Sequence, residues 1–169
     1  QAGRKVVDEL VRETGDGVTL GTLYRNKSYL LYKNRGENAV HTDTYSGNLS
    51  ELYCSAKGKA ILAGMTEKQL EQYLEETSLD RFTENTITGQ EELLLELDEI
   101  RERGYAIDHE EQVIGIGFVA CPVIEDGETL GSVSVACPTG RLRQDDYRDE
   151  LVQNVRAAAE EISVNYRYY

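Results

Sequence analysis

Few side chains in this sequence are equipped for chemistry, and their spacing limits what that chemistry can be. There are two histidines, His41 and His109, and three cysteines, Cys54, Cys121 and Cys137. The run Asp108-His109-Glu110-Glu111 sets carboxylates beside an imidazole, a grouping that acid–base catalysis or a transition metal can use. A metal would also need Cys54 and Cys121 to converge there, and no ligand spacing demands it. A charged turn of this kind is more often simply solvated. No H-E-x-x-H, G-x-S-x-G or phosphate-binding glycine loop occurs. Gly115 and Gly117 lie inside a strand pattern rather than at a strand-to-helix turn, so they are not a dinucleotide fingerprint. Catalysis is disfavoured, no metal is expected, and no cofactor is implied.

A different chemistry is suggested by the apolar segment from Val113 to Pro138, broken only by Glu125-Asp126-Gly127-Glu128 and rich in glycine, serine and alanine. It reads as a β-hairpin. A three-residue loop at Glu125-Asp126-Gly127, with a bulge at Gly127, would set Phe118 opposite Ser134 and Ile116 opposite Ala136. One face then carries Ile116, Phe118, Ala120, Ser132, Ser134 and Ala136. The other carries Val119, Cys121, Val123, Val133, Val135 and Cys137, and is suited to packing under helices. Small residues and hydroxyls beside Phe118 and Ile116 leave room on the first face, and buried serines require partners. The expectation is a small-molecule cavity there; a half-exposed face is the plainer alternative.

The elements that must position this hairpin follow from periodicity. A helix over about Arg4–Glu13 stops at Thr14-Gly15-Asp16-Gly17. Strands are expected over Val18–Arg25 and Ser28–Arg35, turning at Asn26-Lys27, with a weaker third strand over Ala39–Tyr45. A short buried helix ends at Gly64. Thr66 with Gln69, and Thr88 with Glu91, read as capping boxes opening two further helices, the second closed by Gly104. A long helix begins near Asp145. The order helix, strands, helices, strands, helix implies an α/β (α+β) fold with a largely antiparallel sheet flanked by helices.

At 169 residues, one compact domain is expected. Eighteen basic against 31 acidic residues give a net charge of −13, which opposes contact of this segment with phosphate backbones. Only six of the basic residues are lysine. Heavy acidity with few lysines suits a salt-adapted cytoplasmic protein, as in a halophilic archaeon; an ordinary acidic domain is the alternative. An odd number of cysteines without a C-x-x-C pair points to a reducing compartment and to small buried apolar residues. No stretch approaches a membrane span, and none resembles a secretory signal. A sequence opening QAGRKVVDEL, without methionine, is expected to be a piece of a longer protein.

Several segments together resemble one family. "SAKGKAILAG" at Ser55–Gly64 is similar to the S/T-A-x-G-K-A-x-L-A segment of the effector domain of IclR-type transcriptional regulators. "RFTENTIT", "LDEIRERGYAIDHEEQVIGIGFVACPV", "GETLGSVSVACP" and "AAAEEIS" follow in the family's order, from the "VVDELVRETG" helix to Ser163. The resemblance implies a GAF-like sensor domain that binds a small organic-acid-like metabolite. Residues 1–14 would end a linker helix and 15–169 would form the sensor. Operator DNA would be read only through an N-terminal winged helix-turn-helix absent here. A cytoplasmic homodimer or homotetramer is implied, with no membrane partner. The implied pocket is lined by Ser55, Ala56 and Lys57, by Asp108, by Ile116 and Phe118, and by Ser134 and Ala136. Phe118 and Ala136 stand where relatives can carry smaller polar, thiol or serine residues, which would make this pocket more apolar. Lys57 can attract a carboxylate or reach solvent; both readings stay open. The rival to a sensor is a dimerisation module without an effector, with an enzyme third.

Overall fold

The computed structural model describes residues 1–42 and 46–168. The chain begins with helix α1 (Arg4–Thr14), whose Val6, Val7, Leu10 and Val11 are buried along one stripe. Gly15 ends it in a left-handed conformation, with its N–H bonded to the Val11 carbonyl, as a helix C-terminus favours. Strands β1 (Gly17–Tyr24) and β2 (Lys27–Arg35) form a hairpin. Its two-residue turn is Arg25-Asn26, both at positive φ. This places the turn one residue earlier than the sequence pattern implies, because two left-handed residues match the twist of the flanking strands. The third strand also differs: β3 is Leu49–Glu51, beside β2. Residues 39–42 form no strand, and the remainder of the expected segment lies outside the described residues.

Three helices follow: α2 (Ala56–Ala63), α3 (Glu67–Glu76) and α4 (Gln90–Arg103). The capping box at Thr66 and Gln69 is present. The one expected at Thr88 is not; Gly89 precedes α4 without a side-chain cap, and the Thr88 hydroxyl instead accepts from Arg81. Gly104 closes α4 in the left-handed conformation. Strands β4 (Ala106–His109), β5 (Ile116–Glu125) and β6 (Glu128–Pro138) come next, then α5 (Thr139–Leu142) and α6 (Asp145–Arg167). The sheet is antiparallel throughout, in the order β3-β2-β1-β6-β5-β4.

The β5–β6 register corrects one expectation and preserves another. The turn is two residues long, Asp126-Gly127, both at positive φ, and Glu125 pairs with Glu128. Leu130 is bulged out, since Ile124 pairs with Thr129 and Val123 with Gly131. Phe118 therefore faces Ala136, Ala120 faces Ser134, and Ile116 faces Pro138. The bulge restores the parity that the shorter turn would have inverted, so the two faces keep their expected membership. Val119, Cys121, Val123, Val133, Val135 and Cys137 pack under α1 and α6. Ala120 joins the second core, with α2, α3 and α4.

The start of α2 is fixed by a close approach. A Cβ added to Gly58 would lie 2.2 Å from the Leu52 carbonyl oxygen, and backbone cannot yield as a flexible side chain can. Gly58→Ala is expected to lower stability by about 3 kcal/mol, read as a reduced urea midpoint with an unchanged slope.

Candidate functional site

Strand register brings the distant parts of the site into one line. On the face away from α1 and α6, Arg35, Gly17, Ala136, Phe118 and Asp108 are successive cross-strand neighbours from β2 to β4. The adjacent row runs Lys33, Thr19, Ser134 and Ala120. Small residues thus occupy the middle of the sheet, with larger ones to either side. At about 4.8 Å per strand, this leaves a trough between Phe118 and Arg35. A cavity of about 370 Å³ fills it. Gly17, Thr19 and Ala136 form its floor, and Ile116 and Phe118 one wall. Lys33 and Arg35 stand opposite, while Ser55 and Lys57 enter from the first turn of α2.

Five of the eight residues expected at a pocket therefore converge on this cavity: Ser55, Lys57, Ile116, Phe118 and Ala136. Ala56, Ser134 and Asp108 are not in its lining. Ala56 is wholly buried in the second core. Ser134 is also buried, and its hydroxyl lies 2.6 Å from Thr19 Oγ1. Ser132 donates to the Lys57 carbonyl at 2.9 Å. The two serines are thus partnered inside the protein. Ser132 pins the first turn of α2 onto the sheet, and Ser134 holds Thr19 in the floor.

Ser55 caps α2 by accepting from the Gly58 N–H. The Ala56 and Lys57 N–H groups carry no hydrogen bond among the described residues. Lys57 is half-buried, and its ammonium has neither an ion pair nor a hydrogen bond among those residues. Burial, and then the nearby Lys33, lower its pKa; Cys54 and Asp108 act in the opposite direction. No aspartate or glutamate occurs in the described lining, although the chain is strongly acidic. The arrangement is an apolar trough with a cation and helix N-terminal donors at one side, suited to holding an anion.

Behind the Phe118 wall lies a charged cluster that periodicity did not reveal. Lys59 is fully buried; its ammonium contacts Glu111 Oε2 at 2.7 Å, the Ile107 carbonyl at 2.9 Å and Glu96 Oε1 at 3.3 Å. Asp108, equally buried, accepts the Glu111 N–H at 2.7 Å. Asp108 Oδ2 and Glu111 Oε1 have no hydrogen-bond partner among the described residues. Burial, and then the Glu111 charge, push the Asp108 carboxyl up to about 7. Burial also raises Glu111, opposed by Lys59. A signal for Lys59 did exist: α2 is apolar or small on all sides, and a lysine on such a helix must be paired. Cys54 belongs to the second core and Cys121 to the first, on opposite sides of the sheet, so they do not converge. The three thiols are free and buried, and burial pushes each up to about 12.

Residues 1–164 match the family model described as the bacterial transcriptional regulator IclR C-terminal domain. The chain belongs to the IclR family. It is 34% identical over 164 residues to the HTH-type transcriptional regulator KdgR of Escherichia coli K12, covering 95% of this chain and 61% of KdgR. The chain thus spans about three fifths of that relative's length. The crystal structure of the E. coli KdgR C-terminal domain superposes with a TM-score of 0.88 at 32% identity, covering 97% of this chain and 95% of that one. An IclR homologue from Microbacterium hydrocarbonoxydans, crystallised with 4-hydroxybenzoate, gives a TM-score of 0.90 at 20% identity, covering all of this chain and 68% of that one. This last likeness is one of fold. Other relatives, in Salmonella, carry the name transcriptional repressor AllR. No helix among the described residues is long and apolar enough to cross a membrane.

Proposed function

We propose that this IclR-family domain is the sensor half of a transcriptional regulator, and that its cavity holds a small organic acid. The observation that carries the reading is Lys57: a half-buried ammonium without a carboxylate partner among the described residues, its own N–H likewise unpaired among them, over an apolar floor. A carboxylate placed there gains charge-assisted hydrogen bonds, while Phe118 and Ile116 cover the remainder of the molecule. The hydroxybenzoate bound to the Microbacterium homologue is an acid of suitable kind. In the whole protein, α1 would continue a linker from an N-terminal winged helix-turn-helix, in a cytoplasmic dimer or tetramer.

A route from cavity to linker is short. Gly17 lies in the cavity floor, and Gly15 caps α1. Between them, Asp16 is fully buried, accepting from the Tyr147 hydroxyl at 2.7 Å and from Arg141 at 3.4 Å. A ligand that shifts the floor would act on the end of α1 through three consecutive residues. Such action requires different affinities for two arrangements.

The test is calorimetric titration with acetate, pyruvate, succinate, benzoate and 4-hydroxybenzoate, each against its neutral amide. At least one acid is expected to bind while its amide does not, and Lys57→Met should weaken that acid by about tenfold or more. Saturable binding unaffected by Lys57→Met would place the site elsewhere. No binding by any acid would favour a dimerisation module, and turnover of an acid would favour an enzyme.

A further inference from the structure

The cluster behind the cavity holds more negative than positive charge. Asp108 and Glu111 are both buried, each with an oxygen that no donor among the described residues reaches, and one ammonium, that of Lys59, lies beside Glu111. Glu96 on α4 draws on the same ammonium, though it is also bridged by Arg103 at 3.5 Å. The other groups acting on Asp108 are few. Lys57 and Lys59 on α2 favour its charged form. Cys54, just before α2, is held as a neutral thiol by burial. His109, the next residue on β4, points away from this interior and is exposed. Phe118, its partner on β5, brings no charge. Two buried carboxylates sharing one cation do not both ionise readily near neutral pH.

The cluster also adjoins the cavity. Phe118 pairs with Asp108 and lines it; Gln112 and Val113, which line it too, directly follow Glu111. Lys57 lines the cavity and acts electrostatically on Asp108. An anion seated against Lys57 would neutralise the cation that now helps Asp108 to ionise, and would add a negative charge nearby.

We propose that the Asp108–Glu111 pair stores one proton behind the cavity, and that an anion in the cavity tightens its hold, so that anion and proton enter the domain together. Burial raises the pKa of both carboxyl groups, in accord with this. This proposal rests on the anion-binding reading above for its second half only. The sign follows from linkage: the bound form keeps its proton to higher pH than the free form. Anion affinity therefore rises as pH falls through neutrality and levels off below it. The pH would gate the sensor, making it report an organic acid more strongly at neutral than at alkaline pH.

The experiment has two arms. Carbon NMR of protein labelled at the aspartate carboxyl carbon, assigned with Asp108→Asn, follows Asp108 against pH without any ligand. A midpoint near neutrality is expected, and one in the ordinary aspartate range near about 4 overturns the stored proton. Calorimetry with benzoate, in two buffers of different ionisation enthalpy at neutral pH, counts protons taken up. A fractional uptake is expected in the native protein, with affinity rising about threefold or more per pH unit as pH falls towards neutrality from the alkaline side. Both effects should vanish in Asp108→Asn, which keeps an oxygen for the Glu111 N–H. Benzoate binding without proton uptake, or uptake that persists in Asp108→Asn, overturns the coupling. Failure of benzoate to bind, with a neutral midpoint for Asp108, also overturns the coupling and counts against the anion site itself.

Discussion

Lys59→Met is expected to lower stability by about 3–5 kcal/mol at pH near 8, and by clearly less near pH 5. Methionine fills much of the same space, so the loss is electrostatic. The native ammonium is buried against Glu111, the Ile107 carbonyl and Glu96. Without it, Glu111 either stays charged in the interior or binds a proton. Burial already raises Glu111 even with Lys59 present. In the variant its acidity falls further, so the folded state binds more protons than the unfolded chain between the two pKa values. Stability is then present at low pH and lost as pH rises. Urea unfolding at both pH values measures the difference. A second change, Glu111→Gln, should recover part of the loss at high pH. An equal cost at both pH values would mean that Lys59 serves packing alone.

Ala136→Phe should abolish acid binding, by about a hundredfold or more, while leaving the domain folded. Ala136 lies in the floor between Phe118 and Gly17, with the cavity above it. A phenyl ring there fills existing space, so the change in stability should stay within about 1 kcal/mol. The neighbouring Ser134→Phe should behave oppositely. Ser134 is buried against Thr19, and a ring at that position overpacks the sheet and unfolds it. Calorimetry and thermal melts on the pair separate the two cases. Retained binding in Ala136→Phe would remove the floor from the site.

The contrast between these residues shows what a sequence of this kind exposes and what it hides. Alternation reports parity, and parity alone assigns Val119, Cys121, Val123, Val133, Val135 and Cys137 to the helix-covered face. Register depends also on which residue is bulged. Leu130 restores the parity that the Asp126-Gly127 turn shifts, and no period-two pattern marks it. The β1–β2 turn moved by one residue because Arg25 and Asn26, neither a glycine, take left-handed conformations. That Ser55, Lys57, Ile116, Phe118 and Ala136 meet around one cavity is legible from the hairpin pattern and the family resemblance; whether they hold a ligand is the proposal tested above. Ser134, expected at the pocket, has its hydroxyl against Thr19 instead; a hydroxyl on this strand can be satisfied by a ligand or by the protein, and Thr19 comes from a strand 115 residues earlier. Lys33 and Arg35 reach the cavity only through the β2–β1–β6 register. Such pairing across the sheet leaves no local trace.

The central claim is that Lys57 and the first turn of α2 receive an acid group. A crystal structure of the protein soaked with the tightest acid of the calorimetric panel tests it most directly. The expected density places one carboxylate within hydrogen-bond distance of Lys57 Nζ and of the Lys57 N–H, with the remainder against Phe118. A carboxylate bound away from α2, or a cavity occupied by the protein's own side chains alone, would contradict it.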